Sequence, residues 1–295
     1  MAFVIDPDLL GLVDEVALVT GGGGSGMGDW HCIQLARAGC HIVVVDVDPE
    51  GGQRTVKRVE ELGRKAIFVQ GDMRKKADID HMVDMAFQTF GKLDIAVNHV
   101  GATPPDPGSN LVTPFLDYTE ESWDAIINQN LKATMMCCQS EALAMIAHDI
   151  PGRIVNVSSS SGVVGAPTIA AYGASKASII HLTKTLSMEF APYNIRVNCI
   201  IPGTHTSERQ KAMMADPNVP PEQKRFMELA AKAPPMGRLG EPWEPAGLAV
   251  FFASKLSSYV TGHALLSDGG VSHTTARPAV GLGMKPKALE RIGKA

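Results

Sequence analysis

Val16-Ala17-Leu18-Val19-Thr20 runs directly into Gly21-Gly22-Gly23-Gly24-Ser25-Gly26-Met27-Gly28, and helical apolar spacing follows over Gly28–Ala38. The next strand-length run, Ile42-Val43-Val44-Val45, is again fully apolar. Strands without polar alternation are covered on both faces, the condition of a parallel sheet between two layers of helices.

Outward from this stretch, strands are predicted at Val16–Thr20, His41–Asp46, Ala66–Gln70, Leu93–Asn98, Arg153–Ser158, Ile195–Ile200 and Ala264–Ser267. Helices are predicted near Gly28–Ala38, Glu50–Leu62, Ala77–Phe90, Glu120–Ala147, Tyr172–Phe190, Ser207–Lys232 and Pro242–Ser254. Strand and helix in alternation imply an α/β fold, a doubly wound parallel sheet with right-handed crossovers. No composition break separates the elements, so one domain over 1–295 is expected, with a core over 12–270 and a tail over 271–295. Thr103–Pro114 and Ser207–Pro235 read as insertions on the rim, and the mildly basic tail reads as a packing arm.

Composition narrows the function. The 295 residues are 45% hydrophobic and 20% charged, with a net charge of −4, which speaks against a nucleic-acid binder. No apolar run reaches the roughly 18 residues of a membrane span. Asp6 and Asp8 are the wrong charge for a targeting signal, so a cytoplasmic location is expected. Cys32, Cys40, Cys137, Cys138 and Cys199 form neither a CxxC pair nor a zinc-like spacing with histidine. They read as small buried apolar residues, and no metal site is expected.

A glycine turn between a buried strand and a helix lets a pyrophosphate approach the backbone, where the helix N-terminus favours its charge. Gly21, Ser25, Gly26, Met27 and Gly28 are therefore candidates for a dinucleotide cradle. Asp46 ends the second strand, eighteen residues after Gly28. A carboxylate there accepts hydrogen bonds from the adenosine ribose diol and repels a 2′-phosphate. Val47 offers no cation to offset that repulsion, so NAD is expected over NADP; Arg74 is the residue most able to upset this preference.

Ser159, Tyr172 and Lys176 stand as Ser-x12-Tyr-x3-Lys. Tyr172 and Lys176 are four apart and share a helix face. A free phenol titrates near 10, and lowering it by two to three pH units takes roughly 3–4 kcal/mol. One ammonium at about 4 Å supplies around 4 kcal/mol at an effective dielectric of 20. Tyr172 is thus expected to take the proton of a substrate hydroxyl as hydride leaves its carbon, with Ser159 holding the same oxygen.

With these motifs in this order, residues 12–270 resemble the short-chain dehydrogenase/reductase family. The resemblance extends to Asp72-Met73, similar to the family's adenine-contacting pair, and to Asn130, which matches the fourth member of its Asn-Ser-Tyr-Lys tetrad. Asn98-His99-Val100-Gly101 stands where the family has Asn-Asn-Ala-Gly, and Pro202-Gly203-Thr204-His205 resembles its turn beside the nicotinamide. Ser267-Asp268-Gly269-Gly270 is similar to its closing Asp-Gly-Gly. The family implies a Rossmann-type sheet of about seven strands in the order 3-2-1-4-5-6-7, a homotetramer, and cofactor contacts from Asn98, Val100, Gly101, Pro202, Gly203, the backbone of His205, Tyr172 and Lys176. Three departures stand out: a glycine turn one residue longer than usual, His99 in place of asparagine, and His205 in place of an aliphatic residue.

Substrate specificity is expected from Gly101–Asn110, Ser160–Ile169 and Thr204–Met236. The middle segment carries no charge, and the last holds Met213, Met214, Phe226, Met227 and Met236. Such side chains suit a hydrophobic secondary alcohol or ketone, cyclic or steroid-like; the same stripe also fits the inner face of a rim helix. A 3-oxoacyl-thioester reductase, a non-redox dehydratase or epimerase, and a non-enzymatic dinucleotide-binding protein remain alternatives on the same scaffold.

Overall fold

The computed structural model describes residues 9–24, 26–101, 110–206 and 231–273, with the isolated positions 216, 219 and 225. Seven parallel strands form one sheet in the order β3-β2-β1-β4-β5-β6-β7. They are β1 (Val16–Thr20), β2 (His41–Asp46), β3 (Ala66–Gln70), β4 (Ile95–Asn98), β5 (Arg153–Val157), β6 (Arg196–Pro202) and β7 (Ala264–Ser267). This is the Rossmann-type arrangement that the strand pattern and the family resemblance led us to expect.

The continuous apolar runs are explained by the two faces they serve. Leu18, Val43 and Val45 enter one core, with Ile79, Met82, Cys137 and Met145 of the helices α3 (Lys76–Phe90) and α5 (Ala133–Ala147). Ala17, Val19, Ile42 and Val44 enter the other, under α1 (Met27–Arg37) and the final helix α7 (Trp243–Ala253). Successive residues point to opposite faces, so a strand buried on both has no polar position to spare. All five cysteines are buried and free.

The remaining α-helices among the described residues are α2 (Pro49–Glu60), α4 (Glu120–Ile127) and α6 (Ala170–Phe190). The long helix expected over Glu120–Ala147 is interrupted by a π-helical turn at Asn128–Lys132 between α4 and α5. Three strands are also shifted: β4 begins at Ile95 rather than Leu93, β5 ends at Val157 rather than Ser158, and β6 runs from Arg196 to Pro202 rather than from Ile195 to Ile200. The helix expected over Ser207–Lys232, the Pro-rich loop from Thr103, and the tail beyond His273 lie largely outside the described residues. No described helix is long and apolar enough to cross a membrane.

Candidate active site

Parallel strands point their carboxyl ends the same way, and where the order reverses beside β1 the ends open a crevice. The glycine loop lies there. Gly21 has φ +71°, a left-handed conformation that favours glycine. A Cβ at Gly28 would lie 1.9 Å from the Gly21 carbonyl oxygen, so only glycine lets the first turn of α1 close on the loop. Gly24 and Gly26 face open space, while Ser25 lies outside the described residues. Gly26 caps α1 without a side-chain hydrogen bond, and acidic Asp29 follows in the first turn.

Asp46 closes the loop from β2. Its carboxylate accepts from the amides of Gly23 (2.9 Å) and Asp48 (3.0 Å). No described cation pairs with Asp46. Arg74, the residue best placed by sequence to oppose it, instead donates from Nε and Nη2 to Asp72, at 2.9 and 2.7 Å. Met73 is buried. Beside the loop, a cavity of about 290 Å³ is lined by Gly24, Trp30, Arg54 and Arg58; Arg58 is paired with Asp29 at 2.5 Å.

The far wall begins at β4. The Val100 amide donates to Thr20 Oγ1 at 3.3 Å, tying the strand end to β1. A Cβ at Gly101 would lie 2.7 Å from Asn130 Oδ1 and 2.8 Å from Lys176 Nζ, so both atoms crowd one side of this glycine. Asn130 sits in the π-helical turn, its Nδ2 donating to the Ile126 carbonyl at 2.9 Å. Extra residues of this kind often re-aim a side chain at a functional site. Lys176 is 3% exposed and donates to the Val157 carbonyl at 3.0 Å. Its Nζ lies 5.6 Å from the centre of the Tyr172 ring. Ser159 follows β5 and caps a short 3-10 turn, accepting from the Ser161 amide at 3.2 Å. Asn130, Ser159, Tyr172 and Lys176 thus come from three separate stretches, the π-helical turn, the end of β5 and the helix over Ala170–Phe190, to one cleft.

At the other rim the Gly203 amide donates to the Ser267 carbonyl at 2.9 Å. His205 Nδ1 lies 2.8 Å from the Gly203 carbonyl, and its backbone forms a parallel bridge to Gly240. The imidazole is committed to its own turn. Asp268 accepts from the Gly270 and Ser272 amides at 2.9 and 2.8 Å and fastens the closing turn.

A family model described as enoyl-(acyl carrier protein) reductase matches residues 22–272. The 2-dehydro-3-deoxy-D-gluconate 5-dehydrogenase of Escherichia coli K12 is 33% identical over 88% of this chain and 96% of its own. The 3beta-hydroxysteroid dehydrogenase 1 of Eggerthella lenta is 33% identical over 86% of this chain and 93% of its own. The crystal structure of an NAD+-bound xylitol dehydrogenase superposes with a TM-score of 0.78 at 30% identity, covering 88% and 99% of the two chains. The chain is a short-chain dehydrogenase/reductase. It is an oxidoreductase, as its relatives are.

The site's electrostatics depart from the expectation of a phenol acidified by its lysine. Burial raises the Tyr172 phenol, and the hydrogen bond from Ser159 offsets only part of this. Burial also pushes Lys176 down to about 8. Desolvation penalises each charged form, and it is the largest influence on both groups. The departures from the family pattern are placed too. His99 is half-buried, 5.0 Å from His31 between ring centres, and burial lowers it to about 4; it packs against Gly21 and Gly28 of the glycine loop. Several groups had no signal in the motifs: Thr20, which receives Val100, and Ser158, whose Oγ donates to the Lys176 carbonyl at 2.7 Å. A serine directly before Ser159 was the one available hint.

A dinucleotide fits these residues. The cradle has room where Gly24 and Gly26 face open space, the helix end has no side-chain cap, and a fixed carboxylate stands at the β2 end.

Proposed function

We propose that this short-chain dehydrogenase/reductase transfers hydride between NAD(H) and a secondary alcohol or its ketone, with Tyr172 exchanging the hydroxyl proton. The convergence of Asn130, Ser159, Tyr172 and Lys176 beside the glycine cradle carries this reading. When bound, the nicotinamide supplies or accepts the hydride at the substrate carbon. Tyr172 gives its phenolic proton to the carbonyl oxygen in reduction and recovers it in oxidation. Ser159 Oγ holds that oxygen. Lys176, anchored on the Val157 carbonyl, stabilises the phenolate left behind, and Asn130 holds the water through which the lysine's proton is renewed. Gly21, Gly26, Met27 and Gly28 hold the pyrophosphate. Asp46 takes the ribose diol, Asp72 and the Met73 main chain flank the adenine, and Asn98 to Gly101 with Pro202 to His205 line the nicotinamide half.

Asp46 without a paired cation, and Arg74 turned onto Asp72, support NAD over NADP; so does the NAD+ bound to the similar xylitol dehydrogenase. For the substrate, the uncharged segment after Ser159 exposes Val163 and Val164 by 48% and 40%, an apolar wall available to a hydrophobic ring. The relation to a hydroxysteroid dehydrogenase points the same way. A second reading, a polyol or sugar acid, is favoured by the gluconate and xylitol enzymes among the similar proteins. A panel of secondary alcohols read by NADH absorbance separates them: cyclic hydrophobic alcohols are expected to give the higher kcat/KM. Faster turnover of polyols or aldonic acids would move the assignment to the second reading. Product without net nucleotide turnover would identify a dehydratase or epimerase.

The family resemblance also supports a homotetramer, and a cytoplasmic location is proposed with it. Leu143 on α5 and Met188 on α6 are 61% and 70% exposed, apolar surface available for assembly. Light scattering checks the tetramer.

A further inference from the structure

Glu141 lies on α5 with no accessible surface, and the reaction above makes no use of it. Its carboxyl meets the end of β4, where Asn98 Nδ2 donates to Oε2 at 3.0 Å. The same Nδ2 is 3.2 Å from Asn156 Oδ1 and 3.4 Å from Cys138 Sγ. Cys138 Sγ also donates to Asn156 Oδ1 at 3.2 Å, and Asn156 Nδ2 donates to Thr183 Oγ1 at 3.1 Å. The cluster therefore joins β4, β5, α5 and α6, with all its side chains buried. Two of its oxygens, Glu141 Oε1 and Asn98 Oδ1, are buried without a partner. If the carboxyl is ionised, both are acceptors and the cluster lacks a donor.

The groups packed around Glu141 do not provide one. Lys76 of α3 is engaged by Asp80 and by Ser140 Oγ. Burial holds the thiols of Cys137 and Cys138 far above their ordinary value. Asn156 of β5 and Thr183 of α6 are neutral, and among the described residues no cation pairs with Glu141. An amide NH2 whose two N–H donors are divided among three neighbours compensates a buried carboxylate poorly. A proton on Oε1 removes the charge and furnishes the missing donor in one step.

We propose that Glu141 is held as the neutral acid, its Oε1–H donating to Asn98 Oδ1 while Oε2 accepts from Asn98 Nδ2, and that this cyclic pair makes Glu141 a positioning residue for the end of β4. The strand end matters because Asn98 leads within three residues to Gly101, which Asn130 and Lys176 flank. Burial pushes the carboxyl up to about 7, in the same direction.

The inference goes beyond the proposed reaction, and its first test uses the ligand-free protein, so its failure is separable from failure of the hydride-transfer reading. Glu141→Gln keeps a donor facing Oδ1 and an acceptor facing Nδ2 at every pH; Glu141→Leu keeps neither. The folded state retains a proton that an ordinary carboxyl near 4.5 has released. Wild-type stability thus falls as pH rises from about 4.5 to about 7 and is level in this group above that. Glu141→Gln is expected to melt several degrees above wild type at about pH 8, with the gain vanishing near pH 4.5. An infrared difference spectrum between the two at about pH 6 should show a protonated-carboxyl band only in wild type. A melting difference independent of pH, or no such band, overturns the neutral acid. Positioning is read by NADH fluorescence titration: Glu141→Leu should weaken binding several-fold and Glu141→Gln restore it. Equal affinity in the two variants overturns the positioning role. Should Glu141→Leu fail to fold, Glu141→Asp, which withdraws the carboxyl from Asn98, takes its place.

Discussion

The two walls of the cleft are built by different physics. On the β1–β2 side, main-chain geometry does the holding: the Gly22 amide donates to the Val45 carbonyl at 3.0 Å, and the Gly23 and Asp48 amides reach the Asp46 carboxylate. On the β4–β6 side, ionisable side chains are sunk into the protein, with Lys176 on the Val157 carbonyl and Tyr172 raised by burial. A wall made of backbone binds through shape and fixed dipoles and keeps its properties as pH changes. A wall made of desolvated charges does chemistry, and its behaviour follows whatever alters burial or protonation.

Tyr172→Phe should break the comparison most sharply. Removing the proton donor lowers turnover by about a thousandfold or more, while fluorescence titration finds NADH affinity within a few-fold of wild type. Gly28→Ala attacks the opposite wall. Its Cβ would strike the Gly21 carbonyl, and overpacking of about 1–3 kcal/mol should weaken NADH by roughly ten- to a hundredfold, with kcat at saturating cofactor changed less. Asp46→Asn keeps an acceptor but removes the charge. It should narrow the NAD-over-NADP ratio of kcat/KM by about tenfold, the worth of a charge-assisted hydrogen bond, with little effect on the maximal rate.

The same division explains what could be read in advance. The strands, the glycine turn, Asp46 and the Ser-Tyr-Lys spacing were legible because apolar runs, glycine and residue spacing leave local marks; the strand order came only from the family resemblance. The π-helical turn at Asn128–Lys132 left none, since one extra residue does not disturb a pattern of helix formers. Leu93 is wholly buried yet precedes the ladder of β4, so its apolarity misplaced the strand start. The protonation behaviour of Tyr172 and the role of Glu141 were illegible for a further reason. Both depend on burial by distant elements, and four-residue spacing fixes which face Tyr172 and Lys176 share without saying how dry it is. Glu141 reads in isolation as a solvated acid; only its neighbours Cys137, Cys138 and Ala142, all buried, mark the inner face.

The central claim is that a half-buried phenol, whose ionisation desolvation disfavours, is the proton carrier of a hydride transfer. The pH dependence of kcat/KM, followed in both directions with one alcohol–ketone pair, tests it most directly. Because burial raises Tyr172, oxidation requires a phenolate that is scarce at neutral pH, while reduction starts from the abundant phenol. Oxidation should climb steadily from about pH 6 to about pH 10, reduction should hold level and then decline, and both trends should vanish in the residual activity of Tyr172→Phe. Rates of oxidation that stay flat across that range, or a climb that survives in Tyr172→Phe, would contradict the account.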